Sequence, residues 1–125
     1  TFLNAAFSTE EQALILNTNV SADKNPNYNT YVGNATTDKV FLLSIDESDK
    51  YFSSDEARKC VPTAYTKANG AYTSSSYCWW WLRSPGFGQD FAVNVSVGGS
   101  ILYNGIDVNL GGGCVRPAMW IDIDD

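Results

Sequence analysis

Three consecutive tryptophans, Trp79, Trp80 and Trp81, run directly into Leu82-Arg83-Ser84-Pro85-Gly86, and no other stretch of the chain restricts its fold as much. In an extended strand alternate residues face opposite sides, so Trp79 and Trp81 share one face and Trp80 takes the other. At least one of the three indoles is therefore expected in the core, because large aromatics usually pack rather than stand in water. The question is whether the remaining aromatic surface completes a scaffold or meets a ligand.

With 125 residues, of which 44% are hydrophobic and 14% aromatic, the chain has enough material for one ordinary core and not two, so residues 1–125 are read as a single domain. Charged residues make up 18% and the net charge is -6, with the eight Lys and Arg residues scattered. That distribution argues against nucleic acid as a partner. No apolar run approaches the ~20 residues of a membrane helix, and the opening TFLNAAFSTEEQ lacks the basic and apolar regions of a signal peptide. The chain as given is expected to be soluble without direct membrane insertion, which leaves a leader or anchor upstream of Thr1 open. Cys60, Cys78 and Cys114 form an odd set with no CxxC spacing, and the chain has no histidine to complete a zinc site. Three free thiols, or one disulfide with a free thiol left over, both satisfy that count, and a metal site is not expected.

Along the chain, Ser8 stands three residues before Glu11 in capping-box register ahead of Ala13-Leu14-Ile15-Leu16, which predicts a short amphipathic helix near residues 8–17. Residues 19–37 are dense in Asn, Thr, Ser, Pro and Gly and read as a loop. Residues 39–45 read as a buried strand, followed by a helical turn and a helix from 53 to 69 with Ser53 or Ser54 as N-cap, broken or kinked by Pro62 and ending at Gly70. Beyond the tryptophans, Phe91, Val93, Val95 and Val97 alternate with Ala92, Asn94 and Ser96, and Gly98-Gly99 turns that strand into Ser100–Gly105. After the turn at Gly111–Gly113, residues 114–123 read as the closing strand. Helices first and strands later make the fold α+β rather than alternating βαβ.

The pairing of WWLRSPG at 80–86 with VRPAMWI at 115–121, preceded by TTDKVFLLSIDE at 36–47, resembles a bacterial family of domains of unknown function, number 6273 among such families, over nearly the whole chain. A tryptophan-rich strand, a variable middle and a closing VRP strand are also similar to the C-type lectin-like fold of formylglycine-generating-enzyme relatives and of the variable proteins of diversity-generating retroelements. The resemblance implies N-terminal helices with a twisted, mainly antiparallel sheet in the C-terminal half and the 114–121 strand at its centre. It also implies a scaffold in which Trp80, Leu82, Val115 and Trp120 fill the core, and Arg83 or Arg116 fixes a carboxylate or carbonyl with its planar fork.

Between the two motifs the side chains change in kind. Phe87, Asp90, Phe91, Val93, Ser96, Val97, Leu102, Tyr103, Ile106, Asp107, Asn109 and Leu110 are interleaved with glycines, a composition that suits binding loops on a rigid scaffold. Residues 87–114 are therefore expected to face a protein or glycan ligand. Several of these residue types are reachable from an Asn codon by changing its adenines, as retroelement diversification would do. An enzyme is not expected: without histidine the usual Ser–His or Cys–His pair is absent, and none of the three cysteines sits in a nucleophile turn. The formylglycine-type oxidases work through a cysteine pair, and Cys78 with Cys114 is the pair a fold could bring together, but no motif transfers that role. Asp46, Glu47, Asp49, Asp122, Asp124 and Asp125 follow no EF-hand spacing and are expected to be solvated, so no metal and no cofactor is anticipated. The expectation is a non-enzymatic display domain of a bacterial or phage surface protein, on the extracellular or virion side. The alternatives are a purely structural domain of such a protein, or an oxidase relative.

Overall fold

The computed structural model describes residues 1–124. Its first half is built from short helices set by their caps. Helix α1 spans Phe2–Ala6 and α2 Thr9–Leu14, where Ser8 and Glu11 form the reciprocal capping box. A second capping box, Ser44 with Glu47, starts α3 at Ile45–Tyr51. The expected long helix is split into α4, Asp55–Arg58, capped by Ser54, and α5, Ala64–Ala68, capped by Thr63, with buried Pro62 in the break. Each cap satisfies helix-end N–H groups that a helix this short would otherwise leave bare.

The loop after α2 is closed at its base by a ladder: β1 at Thr18–Val20 pairs antiparallel with β2 at Thr36–Asp38. The main sheet is antiparallel in the order β3-β4-β5, with β3 at Trp80–Pro85, β4 at Phe91–Val95 and β5 at Ile101–Asp107. The fold is thus α+β, helices preceding an antiparallel sheet. Alternation along β3 is strict: Trp80, Leu82 and Ser84 are buried, while Trp81, Arg83 and Pro85 are partly exposed. Trp80, Leu82, Val93, Val95, Cys78, Cys114 and Ile45 form one core cluster, with Phe52, Ile101 and Tyr103 packed against it. Trp79 and Trp81 stack edge to face on the opposite side with ring centroids 4.9 Å apart, as period-two geometry requires.

Two expectations about strands need correction. Residues 39–45 form no ladder: 39–40 are a bend, Phe41 pairs with Ala118 in an isolated bridge, the Leu43 carbonyl accepts from Arg83 N–H at 2.9 Å, and Ile45 already begins α3. Residues 114–121 are not the central strand either, since β4 holds that place. The closing segment spreads its hydrogen bonds over three partners: Cys114 bridges Trp80 in parallel, Ala118 bridges Phe41 and Ile121 bridges Ile15. Pro117 has no N–H, so a continuous ladder could not run through it. Because the segment lies across the edge of the core, Val115 is 65% exposed and Trp120 50% exposed, whereas both were expected to be buried.

Candidate functional site

The arginine of the first motif is a fastener. Arg83 donates Nε–H to Ser21 O at 3.0 Å, Nη1 to Leu42 O at 2.8 Å and Nη2 to Ser21 Oγ at 3.1 Å, and both terminal nitrogens grip the Glu47 carboxylate. Every guanidinium donor direction is used, so Arg83 ties the 21–34 loop and α3 to β3 and has none left for a ligand. Burial pushes the Glu47 carboxyl up, but hydrogen bonds from Arg83 and the Ser44 backbone outweigh it and hold Glu47 below its ordinary value. Arg116 instead stacks between Phe52 and Trp80, its guanidinium carbon 4.9 Å from each ring centroid, and donates to Arg58 O at 3.4 Å.

One end of the sheet carries an aromatic cluster. Gly86 lets the chain approach β5 closely, since a Cβ there would overlap the Asn104 carbonyl. The turn is closed by Gly86 N–H to Phe91 O at 2.7 Å and Phe87 N–H to Asn104 O at 2.9 Å. This puts the Phe87 ring 4.4 Å from Phe91 and 6.3 Å from Tyr28, and Phe87 is 54% exposed. Tyr28 arrives on the 21–34 loop, which is pinned by buried Asn25. The Asn25 amide donates to Pro85 O at 3.0 Å and Tyr103 O at 2.7 Å, while its oxygen accepts from Asn27 N–H at 2.9 Å. Thr30 Oγ1 donates to Gly86 O at 2.7 Å, and the Tyr28 hydroxyl bonds to Asn104 Oδ1. Tyr28, Asn25 and Asn104 were not among the expected site residues. A loop asparagine that plugs two strand carbonyls has the same sequence appearance as any turn asparagine.

The expected binding residues do not form one face. Phe87, Asp90 and Phe91 gather at the Tyr28 end, where Val108 N–H bonds to Asp90 O at 3.0 Å. Leu102 is exposed and Ile106 partly exposed, on the face that also carries Ala92 and Trp81. Asp107 builds the following turn by accepting from Asn109 N–H at 2.9 Å, and Asn109 and Leu110 are exposed beyond it. Ser96 and Val97 lie at the opposite end of β4, where the hydroxyls of Ser96 and Ser100 are 2.7 Å apart and close the hairpin. Five residues of strand, ~17 Å, separate the two ends. Val93 must be removed from the ligand-facing set, because it is fully buried in the core, and Tyr103 turns inward against the same core. Both follow from period two, which points Val93 to the side of Trp80 and Leu82.

Elsewhere, the lifted closing segment leaves an apolar cavity of about 410 Å³ between Phe2, Val40, Phe41, Val115 and Pro117. The fold does bring Cys78 and Cys114 together, and both are buried. Among the described residues no group of three or more His, Cys, Asp or Glu is placed to hold a metal ion; Asp125 lies outside the described residues.

Comparison with curated proteins gives no match, and comparison with solved structures gives none either. The model of the family described as Domain of unknown function (DUF6273) matches residues 1–123, and the chain belongs to that family.

Proposed function

We propose that this chain is a non-enzymatic ligand-binding module of C-type lectin-like form, borne on a bacterial or phage surface protein and presenting the Tyr28–Phe87–Phe91 end of its sheet to a glycan or protein. The observation that carries this is the aromatic cluster itself, with Phe87 exposed and Tyr28 and Phe91 partly exposed, the Asn104 carboxamide bonded to the Tyr28 hydroxyl and the exposed Asp90 carboxylate on the same turn. An aromatic face beside amide and carboxylate groups suits a sugar ring, which offers an apolar C–H face and a hydroxyl edge, and it does so without calcium. Helices set before an antiparallel sheet, and chain ends that pair through Leu16 N–H to Trp120 O at 2.9 Å and Asp122 N–H to Leu14 O at 2.8 Å, support the lectin-like form.

The test is binding of the whole chain to glycan and cell-surface protein arrays, repeated with Phe87→Ser. Loss of about tenfold or more for the captured ligands is expected, with folding stability within ~0.5 kcal/mol of the parent because Phe87 is a surface side chain. Captured ligands that bind Phe87→Ser and Tyr28→Ser as well as the parent would refute the assignment. We propose that retroelement diversification acts on the exposed Phe87, Asp90, Leu102, Asp107, Asn109 and Leu110 and spares Val93. It requires a neighbouring reverse-transcriptase gene and a template repeat of codons 87–114 that differs at adenines. A second reading, a structural domain of a larger surface protein, is favoured by the exposure of Val115, which lines the apolar cavity, and of Trp120 further along the same closing segment. It predicts that Val115→Ser with Trp120→Ser destabilises the larger protein by more than it destabilises this domain alone.

A further inference from the structure

The three cysteines, far apart in sequence, converge on one point of the core edge. Cys60, in the break between α4 and α5, faces Cys78 directly across an antiparallel bridge closed by Cys78 N–H to Cys60 O at 2.9 Å. Cys114 faces Trp80 across a parallel bridge, with Cys114 N–H to Trp79 O at 2.9 Å and Trp81 N–H to Cys114 O at 3.1 Å. The Cys78 thiol lies between the other two, close enough to each to perturb its titration, and donates to the Cys60 carbonyl oxygen at 3.5 Å.

From this geometry we infer that Cys60 and Cys78 are a disulfide-forming pair that staples the base of the 61–77 arm, with Cys114 as the unlinked third thiol. Directly opposed residues in a hydrogen-bonded antiparallel pair have Cα atoms ~5.5 Å apart, inside the ~4.4–6.8 Å span of ordinary disulfides, and their side chains leave the same face. Cys114 is a diagonal neighbour of Cys78. Diagonal Cα atoms are ~7–8 Å apart, beyond the ~7 Å at which bridging demands backbone movement.

Access points to the order of events. Cys60 is partly exposed, whereas Cys78 and Cys114 are buried, so a small-molecule disulfide reaches Cys60 first. The Cys60 thiolate attacks one sulfur of the external disulfide, forming a mixed disulfide and releasing one external thiolate. The Cys78 thiolate then attacks the Cys60 sulfur and releases the second. The two protons lost by Cys60 and Cys78 end on the two external thiols, and the cysteine pair is oxidised by two electrons as the external disulfide is reduced.

The arm this bond would brace has little else to hold it. Helix α5 buries no residue, Val61, Tyr65 and Tyr72 are exposed, and the arm returns through a tight turn in which Ser75 and Ser76 both have positive φ. Along the arm, its ties to the rest of the chain include buried Pro62, the Tyr72 N–H bond to Gly112 O at 3.0 Å and the packing of Ala71 on the core.

The test uses the whole chain, fully reduced and then exposed to oxidised glutathione at mildly alkaline pH. Readouts are non-reducing peptide mapping after alkylation and a thermal melt. A Cys60–Cys78 linked peptide, an alkylated Cys114 and a Tm rise of roughly 10 °C are expected, the rise following from loop closure in the unfolded chain. Cys60→Ser, at a partly exposed position that folding tolerates, should lose both the link and the rise, while Cys114→Ala keeps both. A Cys78–Cys114 link, a glutathione adduct that persists on Cys60 without an internal bond, or a linked protein with unchanged Tm would overturn the inference.

Discussion

Replacing Trp80 by alanine tests the packing argument most directly, because Trp80 and Trp120 belong to the paired motifs yet occupy opposite environments. Trp80 is fully buried, contacts Phe52 edge to face at 6.1 Å, carries the Arg116 guanidinium over its ring and donates its indole N–H to Arg58 O at 3.0 Å. A tryptophan buries ~200 Å², and at ~25 cal/mol per Å² its removal costs about 5 kcal/mol, within the ~3–5 kcal/mol measured for large core aromatics. The Arg58 carbonyl also loses its best donor, which adds about 1 kcal/mol, so the total approaches the whole stability of a small domain. Trp120 is half exposed and touches Tyr51 at 6.1 Å, so the same arithmetic gives at most about 2.5 kcal/mol. Urea unfolding of the two alanine variants, with Trp80→Phe as a milder member expected to lose about 2 kcal/mol, measures the difference. Equal losses at the two positions, or a loss under ~1 kcal/mol at Trp80, would show that the core is not where the burial pattern puts it.

Gly99 has φ +88, and a Cβ there would overlap the Asp55 carbonyl, so Gly99→Ala should cost at least about 2 kcal/mol in denaturant unfolding and loosen the Arg58 Nε–H bond to Gly99 O. Because Glu47 is held below its ordinary value in the folded chain, its contribution is full above the unfolded carboxylate pKa of about 4.3 and is lost as pH falls through the lower folded value. Glu47→Gln should therefore lower the urea midpoint at pH 7, and the gap from the parent should narrow as pH falls below about 4.3; a gap independent of pH would mean that the ion pair contributes nothing. Burial raises the Cys78 thiol to about 11, reinforced by the hydrogen bond to Cys114, so alkylation of Cys78 in the native chain should be far slower than in the unfolded chain at pH 8. Equal rates in the two states would place Cys78 at the surface.

What was legible in the sequence was local. Ser8 with Glu11 capped α2 as their spacing required, Pro62 broke the helix, and Gly98-Gly99 turned β4 into β5, because each depends on residues within a few positions of one another. The candidate site was legible only in part. Phe87 and Phe91 could be picked out as bulky residues beside glycines, whereas Tyr28 and Asn25 reach the same place from 60 to 78 residues away, through bonds to Pro85, Tyr103 and Asn104 that no local pattern encodes. Val93 was misplaced because the site was read from residue type along a segment, and the pleat then turned it inward.

By itself the sequence determined the α+β order, the caps and turns, and the alternation that sends Trp80 and Leu82 to one side and Trp79 and Trp81 to the other, since backbone geometry at each residue is set by its neighbours in the chain. Only the tertiary structure decided which apolar segments were finally covered. Residues 39–45 and 114–121 have the hydrophobic run of buried strands, yet the central position had already gone to β4. The N–H and C=O groups of those two segments were then shared among the residues just after α2, β3 with its preceding Trp79, and each other at the edge. Burial and long-range pairing are properties of the whole packed chain, and so the exposure of Trp120, the meeting of Cys60 with Cys78 and the Tyr28–Phe87–Phe91 cluster exist only once every element is in place.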